Sequence, residues 1–392
     1  MNQTPQANRT HISIIGKRNS GKSSLINALT GQETALVSDT PGTTTDLVYK
    51  PMEIKGIGAS VFMDTPGIDD VGELGKKRID QTIKAIDKTD IALVLFDEEI
   101  EKLEDWIQQL TEKNIPFIPI INKIDLYKDQ KEVEKLAAKI EKQYNKKPIW
   151  VSAKEKSGID SIIEELVKSI SEETKEITIL GDRVSTGDLV LLVMPQDIQA
   201  PAGRLILPQV QTIRELLDRK CLIMSCTTDQ LENTLQALAY PPKLIITDSQ
   251  AFKIVNQLKP QASQLTSFSV LFAEYKGDIE YFKASVQAIN HLKESSRVLI
   301  AEACAHAPQK EDIGRVKIPR LLRNKIGEGL TIDMVSGNDF PADLSSYDLI
   351  IHCGACMFNR KHVLTRIAAA KKQQIPMTNY GVAIAFLLGV DL

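Results

Sequence analysis

The chain has 392 residues, with 48 lysines and arginines against 51 aspartates and glutamates, a formal net charge of −3. That length exceeds one ordinary core, so two or three domains are expected. The near-neutral balance argues against a general nucleic-acid binder, though not against a local basic face. No apolar run approaches the ~18 residues of a membrane span; the most apolar tail segment, 382–390, is far too short. The polar N-terminus lacks a secretory apolar core. The expectation is a cytoplasmic protein without membrane or nucleic-acid partners. Its five cysteines are an odd count without a signal peptide. They argue against a disulfide framework and make metal or redox use the live question.

In chain order, residues 1–10 are polar and read as disordered. The next stretch, ISIIGKRNSGKSSL, has an apolar β-like run, a glycine-rich loop and a helix start. Gly16 to Ser23 fits G-x-x-x-x-G-K-[ST] in full. Gly16 and Gly21 let the backbone curl so that N–H groups of the loop, Asn19 and Ser20 included, face anionic oxygens. The following helix, with Ser24 in its first turn, presents its positive end to the same oxygens. Lys22 can reach the β- and γ-phosphates, and the Ser23 hydroxyl can sit on Mg²⁺. A chance glycine turn would not bring strand, loop and helix in this order.

Further signatures follow. Thr43, Thr44 and Thr45 lie in PGTTTD, a polar loop after the first helix. Thr44 is the choice for a hydroxyl that sits on Mg²⁺ and senses the γ-phosphate. A strand over 59–63 runs into Asp64-Thr65-Pro66-Gly67. Asp64 can hold the Mg²⁺ hydration shell, and the Gly67 N–H can meet the γ-phosphate. Residues 91–96 and 117–121 are continuous apolar runs, read as buried parallel strands. The second ends in Asn122-Lys123-Ile124-Asp125. The Asp125 carboxylate can accept from both N1–H and the 2-amino group of guanine; adenine would leave it unpaired. Residues 149–151 lead to Ser152-Ala153-Lys154, whose backbone can contact the base oxygen.

Singly these motifs are weak; five in this order, each at a strand end, predict a doubly wound sheet with its ligand at the carboxyl ends of the strands. Residues 8–172 look like a GTPase of the translation-factor-related class. Lys22, Thr44 and Gly67 are then the catalytic residues, with GTP/GDP and Mg²⁺ as ligands. Ile68 stands where a glutamine would orient water in Ras-like enzymes, and it cannot polarise water. Asn19 matches the asparagine that potassium-activated GTPases of this class use to hold K⁺; it could equally cap the loop.

Around 172–182 the chain turns polar, which places a domain boundary. Strands at 189–194, 220–226 and 243–247 alternate with helices at 210–219 and 229–238. This second, small βαβ pattern has no phosphate loop, and a structural or dimerising role is its default. Cys221 and Cys226 lie five apart and read as core cysteines on opposite faces. Further on, a strand at 297–301 leads to Cys304-Ala305-His306, and one at 348–351 leads to His352-Cys353-Gly354-Ala355-Cys356. Two loops beyond strand carboxyl ends can converge on one site. Three thiols and two imidazoles exceed what a core needs. They suit tetrahedral Zn²⁺ or an Fe–S cluster with a non-cysteine fourth ligand, and spacing leaves both open. His362 reads as a surface histidine on a helix; His11 and His291 need no special role.

With these pieces the whole chain resembles the [FeFe]-hydrogenase maturation GTPases, the HydF family. The resemblance implies an α/β chain of three domains: a P-loop GTPase domain (8–175), a dimerisation domain (181–265) and a cluster-binding domain (266–392). It implies a scaffold that carries a [4Fe-4S] cluster on Cys304, Cys353 and Cys356, with His306 and His352 as possible fourth ligands. It further implies a transient diiron subcluster, two radical-SAM maturases and apo-[FeFe]-hydrogenase as partners, and a homodimer. The alternative is a GTPase of tRNA modification or ribosome assembly with a zinc-binding module, disfavoured by the near-neutral charge. A zinc-stabilised interaction protein, with GTP switching a partner surface, is the third reading.

Overall fold

The computed structural model describes residues 5–31, 48–66, 73–174, 178–195, 205–303, 312–337, 339–356 and 358–390. They fall into two units, 1–176 and 177–392.

The first unit runs β1 (Thr10–Gly16), α1 (Lys22–Thr30), β2 (Val48–Ile54), β3 (Gly58–Asp64), α2 (Glu73–Ile86), β4 (Ile91–Phe96), α3 (Glu104–Glu112), β5 (Phe117–Ile121), α4 (Gln130–Tyr144), β6 (Ile149–Trp150) and α5 (Ile159–Thr174). Its six strands stand in the order β2-β3-β1-β4-β5-β6, with only the β2–β3 pair antiparallel. The reason is visible in the strands: β4 and β5 are apolar and buried at every position, as a sheet covered on both faces requires. Leu25, Ile26, Ile162 and Leu166 fill one face and Trp106, Leu110, Leu136 and Ile140 the other. Each such side chain contributes roughly 1.5–3 kcal/mol when taken fully from water. The expected doubly wound sheet is therefore present, and Gly16, Asp64 and Ile121 end three of its strands at the carboxyl edge.

The second unit holds β7 (Leu189–Val193), α6 (Leu207–Asp218), β8 (Leu222–Cys226), α7 (Leu231–Ala237), β9 (Leu244–Thr247), α8 (Phe252–Leu258), β10 (Gln264–Ser267), α9 (Phe268–Lys276) and α10 (Ile279–Val286). It continues through β11 (Arg297–Glu302), α11 (Ile318–Ile326), β12 (Thr331–Ser336), β13 (Leu349–His352), α12 (Arg360–Lys372), β14 (Met377–Asn379) and α13 (Tyr380–Leu387). Two parallel four-stranded sheets result, ordered β10-β9-β7-β8 and β12-β11-β13-β14. Side-chain caps fix the helix starts: Ser267 for α9, Asp278 for α10, Asn359 for α12 and Asn379 for α13. Helix α9 packs against α6 on one side and against α12 and α13 on the other, so the two sheets share it.

The strand expected at 220–226 is present as β8, at the edge of its sheet, where Leu222 and Met224 are 51% and 40% exposed. Cys221 and Cys226 do pack on opposite faces of that sheet. One sequence expectation needs correction here. His362 is buried, not on the surface, because the first turn of α12 packs beneath loop 353–358 and its ring stacks on Phe358, 4.4 Å between centroids.

Candidate functional sites at two sheet edges

At the first edge, the chain leaves β1 at Gly16 and turns through Asn19 (φ 60°) and Gly21 (φ 90°) into α1. Gly21 is required twice over: its φ is left-handed, and a Cβ would lie 2.4 Å from Asn122 Nδ2. Side chains from the flanks hold the loop by its carbonyls. Lys22 Nζ donates to the carbonyls of Gly16 (2.9 Å) and Lys17 (2.7 Å). Lys123 Nζ donates to Asn19 (2.5 Å) and Asn122 Nδ2 to Ser20 (3.0 Å). The first turn of α1 begins here, and a helix N-terminus presents its amides and positive dipole end to an anion.

Ser23 Oγ donates to Asp64 Oδ2 at 2.6 Å, so two of the three residues expected at Mg²⁺ meet. Burial pushes the Asp64 carboxyl above the ordinary range, against the pull of Ser23, Lys22 and Lys50. The base-side residues also converge. Ser152 Oγ donates to Asp125 Oδ1 at 2.5 Å, and the Ala153 N–H donates to Asn122 Oδ1 at 3.2 Å. Asp125 thus keeps a second carboxylate oxygen for a base, while Lys154 is exposed at the rim. Thr44, Gly67 and Ile68 lie outside the described residues.

Sequence reasoning missed two lysines at this edge. Lys17 is buried and pairs with Asp97 (2.9 Å) and Glu99, which ties the loop to the end of β4. Lys50 on β2 is buried on the same sheet face as Asp64, and its Nζ has no hydrogen-bond partner among the described residues. Neither belongs to a spacing pattern; only the pairing of β2 with β3 brings Lys50 in.

At the second edge, β13 ends in His352 and loop 353–358 follows. Cys353 Sγ accepts from two backbone N–H groups, Ala303 (3.0 Å) and Ala355 (3.4 Å). Burial pushes its thiol up to about 11. Ala355 has φ 49°, a strained left-handed value for a residue with a Cβ, as functional loops often carry. Cys356 lies half-buried in the same loop. Cys304 and His306 lie outside the described residues, but the chain reaches them from Ala303, hydrogen-bonded to Cys353 Sγ. Among the described residues no three His, Cys, Asp or Glu side chains gather around one point. What is present fits thiolate chemistry: two cysteines three apart in one loop, with N–H donors already aimed at sulfur.

His352 does not fit the ligand role given to it as a possible expectation. Arg366 Nη1 donates to its Nε2 at 2.8 Å, so its Nδ1 carries the proton and donates to the Cys353 carbonyl at 2.7 Å. Burial and the Arg366 charge hold the imidazole neutral, its pKa down to about 3. With both nitrogens engaged it offers no lone pair to a metal in this arrangement. Arg366, buried and also bonded to the Gly337 carbonyl, is a second feature no local pattern announces. Tyr380 is a third: burial, then the neighbouring Cys353, pushes its phenol upward.

The first edge defines a P-loop GTPase domain; the second adds an α/β unit with a cysteine loop. Comparison with known proteins agrees. Residues 11–123 match the 50S ribosome-binding GTPase family description. Residues 179–277 match the hydrogen maturase F dimerization domain and 280–391 the hydrogen maturase F tetramerization domain, together more than half of the chain. The chain belongs to the hydrogen maturase F family of hydrogenase maturase GTPases.

Among curated relatives, it is 38% identical over 174 residues to GTPase Der of Wolinella succinogenes, covering 42% of this chain and 37% of that protein. It is 36% identical over 169 residues to tRNA modification GTPase MnmE of Pseudothermotoga lettingae, covering 41% and 35%. The chain therefore spans well under half the length of these relatives. Among solved structures, Aquifex aeolicus Era bound to GDP·AlF4⁻ aligns at TM-score 0.38 and 19% identity, over 64% of this chain and 98% of that one.

Proposed function

We propose that this protein is a GTP-hydrolysing scaffold that carries a [4Fe-4S] cluster and assembles or delivers a diiron subcluster to apo-[FeFe]-hydrogenase. The observation that carries the reading is the cysteine loop at the end of β13, with two N–H groups aimed at Cys353 Sγ, in a chain that also holds a GTPase domain. Cys304, Cys353 and Cys356 would hold the cluster, with His306 left as the imidazole candidate for its fourth position. Three thiolates fix three corners and leave one to exchange, the chemistry a carrier needs. The diiron unit is cargo, received with two radical-SAM maturases as partners.

In the GTPase domain, Ser23 and Asp64 would place Mg²⁺, which neutralises charge on the β- and γ-phosphates. Lys22 can exchange its two carbonyl partners for phosphate oxygens. Thr44 and Gly67 would sense the γ-phosphate, and Asp125 would read guanine. Ile68 supplies no polar group, so Asn19 is assigned to K⁺, which would supply transition-state charge as an arginine finger does elsewhere. Turnover in KCl should exceed turnover in NaCl at equal ionic strength, and Asn19→Ala should erase the difference; equal rates would end the potassium assignment. Self-association as a homodimer is assigned to the middle region, where the β8 edge exposes Leu222 and Met224.

The likeness to Der and MnmE covers only 42% and 41% of this chain, and residues 179–277 and 280–391 match hydrogen maturase F descriptions, which favours hydrogenase maturation over tRNA modification. The deciding experiment is the visible spectrum after anaerobic reconstitution with iron and sulfide. A broad charge-transfer band near ~400 nm is expected. A colourless protein holding stoichiometric Zn²⁺ would refute the cluster.

A further inference from the structure

Lys276 ends α9, inside the region that matches the dimerization description, yet its ammonium is used in the neighbouring one. Its Nζ donates to the carbonyls of Ala355 (2.8 Å) and Phe358 (2.7 Å), which bracket Cys356 in sequence. The residue is 3% exposed. Burial pulls its pKa down to about 8, while Cys356 and then Cys353 pull it back up. A buried ammonium is costly. Two carbonyls ask only for donors, which a neutral amide could supply. The charge itself answers to the nearby sulfurs, which become anionic when they bind metal.

We propose that Lys276 is a positioning residue for the cluster: it holds loop 353–358 from the adjoining domain and sets a fixed positive charge beside the thiolates. The second role rests on the cluster reading above; the first does not. A fixed cation stabilises the form with one more electron, so it makes a cluster bound there easier to reduce. The hydrogen bonds fix the turn that sets the spacing of the two sulfurs, with Ala355 held in its strained conformation.

The test has two arms on the full-length chain. In metal-free protein, amide hydrogen exchange of peptides covering 353–358 should rise in Lys276→Met and stay near wild type in Lys276→Arg. Unchanged exchange in Lys276→Met would overturn the positioning role. After anaerobic reconstitution, a dithionite titration followed by electron paramagnetic resonance should give Lys276→Met a more negative midpoint potential and altered g-values. Lys276→Arg should restore the potential. Should Lys276→Met fail to fold, Lys276→Gln keeps a donor without the charge and should show the same negative shift. Equal potentials for charged and uncharged variants would overturn the electrostatic role. Wild-type protein that takes up no iron would instead defeat the cluster reading and this role with it, while the exchange arm still decides whether Lys276 holds the loop.

Discussion

The nucleotide loop and the cysteine loop solve the same structural problem by different means. Both leave the carboxyl edge of a parallel sheet, where strand ends and helix starts leave a crevice. Both are tied down through their carbonyls by lysine: Lys22 and Lys123 in the first, Lys276 in the second. The first loop's ties come from Lys22 in its own motif and from Asn122 and Lys123 of the base-side motif at the end of β5. The second loop's ties come from α9 and, through His352, from Arg366 on α12. A site that binds and releases a nucleotide each cycle needs ties that can exchange. A site for soft-metal ligands needs its sulfurs held still.

The largest expected effect sharpens that contrast. Asp125→Asn presents N–H donors to the guanine donors and should weaken GTP binding by about 10⁴-fold. Iron uptake at the cysteine edge should be unchanged. Calorimetric titration with GTP and an iron assay on the same preparation check both halves; wild-type GTP affinity would remove Asp125 from base recognition.

The next effect tests a likeness. Each unit buries a histidine held neutral, His352 in the second and His11 in the first, where burial pulls the pKa from 6.5 to about 4. His11 Nδ1 donates to the Arg9 carbonyl at 2.9 Å, while Asp90 is engaged by the His11 backbone N–H. The folded pKa is depressed, so the unfolded chain takes up the proton first. Stability from the neutral ring is complete above pH 6.5 and lost as pH falls towards 4. The loss amounts to about 3 kcal/mol. In His11→Phe, denaturant titrations from pH 7 to 4 should show a shallower acid decline in the first unit alone. An unchanged slope would mean that His11 is not the group responsible.

The smallest effect is a control away from both edges. Arg214 and Asp218 form an i,i+4 pair with side chains 76% and 56% exposed. Arg214→Ala should change stability by less than about 0.5 kcal/mol and leave both loops intact. A larger loss in chemical denaturation would show that α6 surface charge matters beyond its pair.

The two sites were unequally legible in the sequence. Gly16, Lys22, Ser23, Asp64, Asn122 and Asp125 come from local motifs whose spacing is imposed by the nucleotide, and most of their contacts follow from strand–loop–helix order. Lys17 and Lys50 were not legible, because strand pairing rather than local spacing brings them to this edge. At the second edge the cysteines were legible and their supports were not. Lys276 lies 79 and 82 residues from the carbonyls it binds, with no period or motif linking them. His352 looked like a ligand because histidine beside cysteine usually signals one; only Arg366, 14 residues on, shows its lone pair to be taken.

Helix α9 has a consequence for dissecting the chain. The two family descriptions meet between residues 277 and 280, which invites a cut there. Phe272 and Leu271 belong to the core beneath β7 and β9, whereas Ala273 belongs to the core around β11 and β13. A fragment beginning at residue 280 would expose the apolar flank of α12 and α13 and leave the Ala355 and Phe358 carbonyls without their lysine. Residues 177–392 form a compact unit that keeps both Lys276 and Arg366 with the cysteine loop, whereas a domain catalogue drawn from sequence families would cut just after Lys276 and part it from the carbonyls it holds.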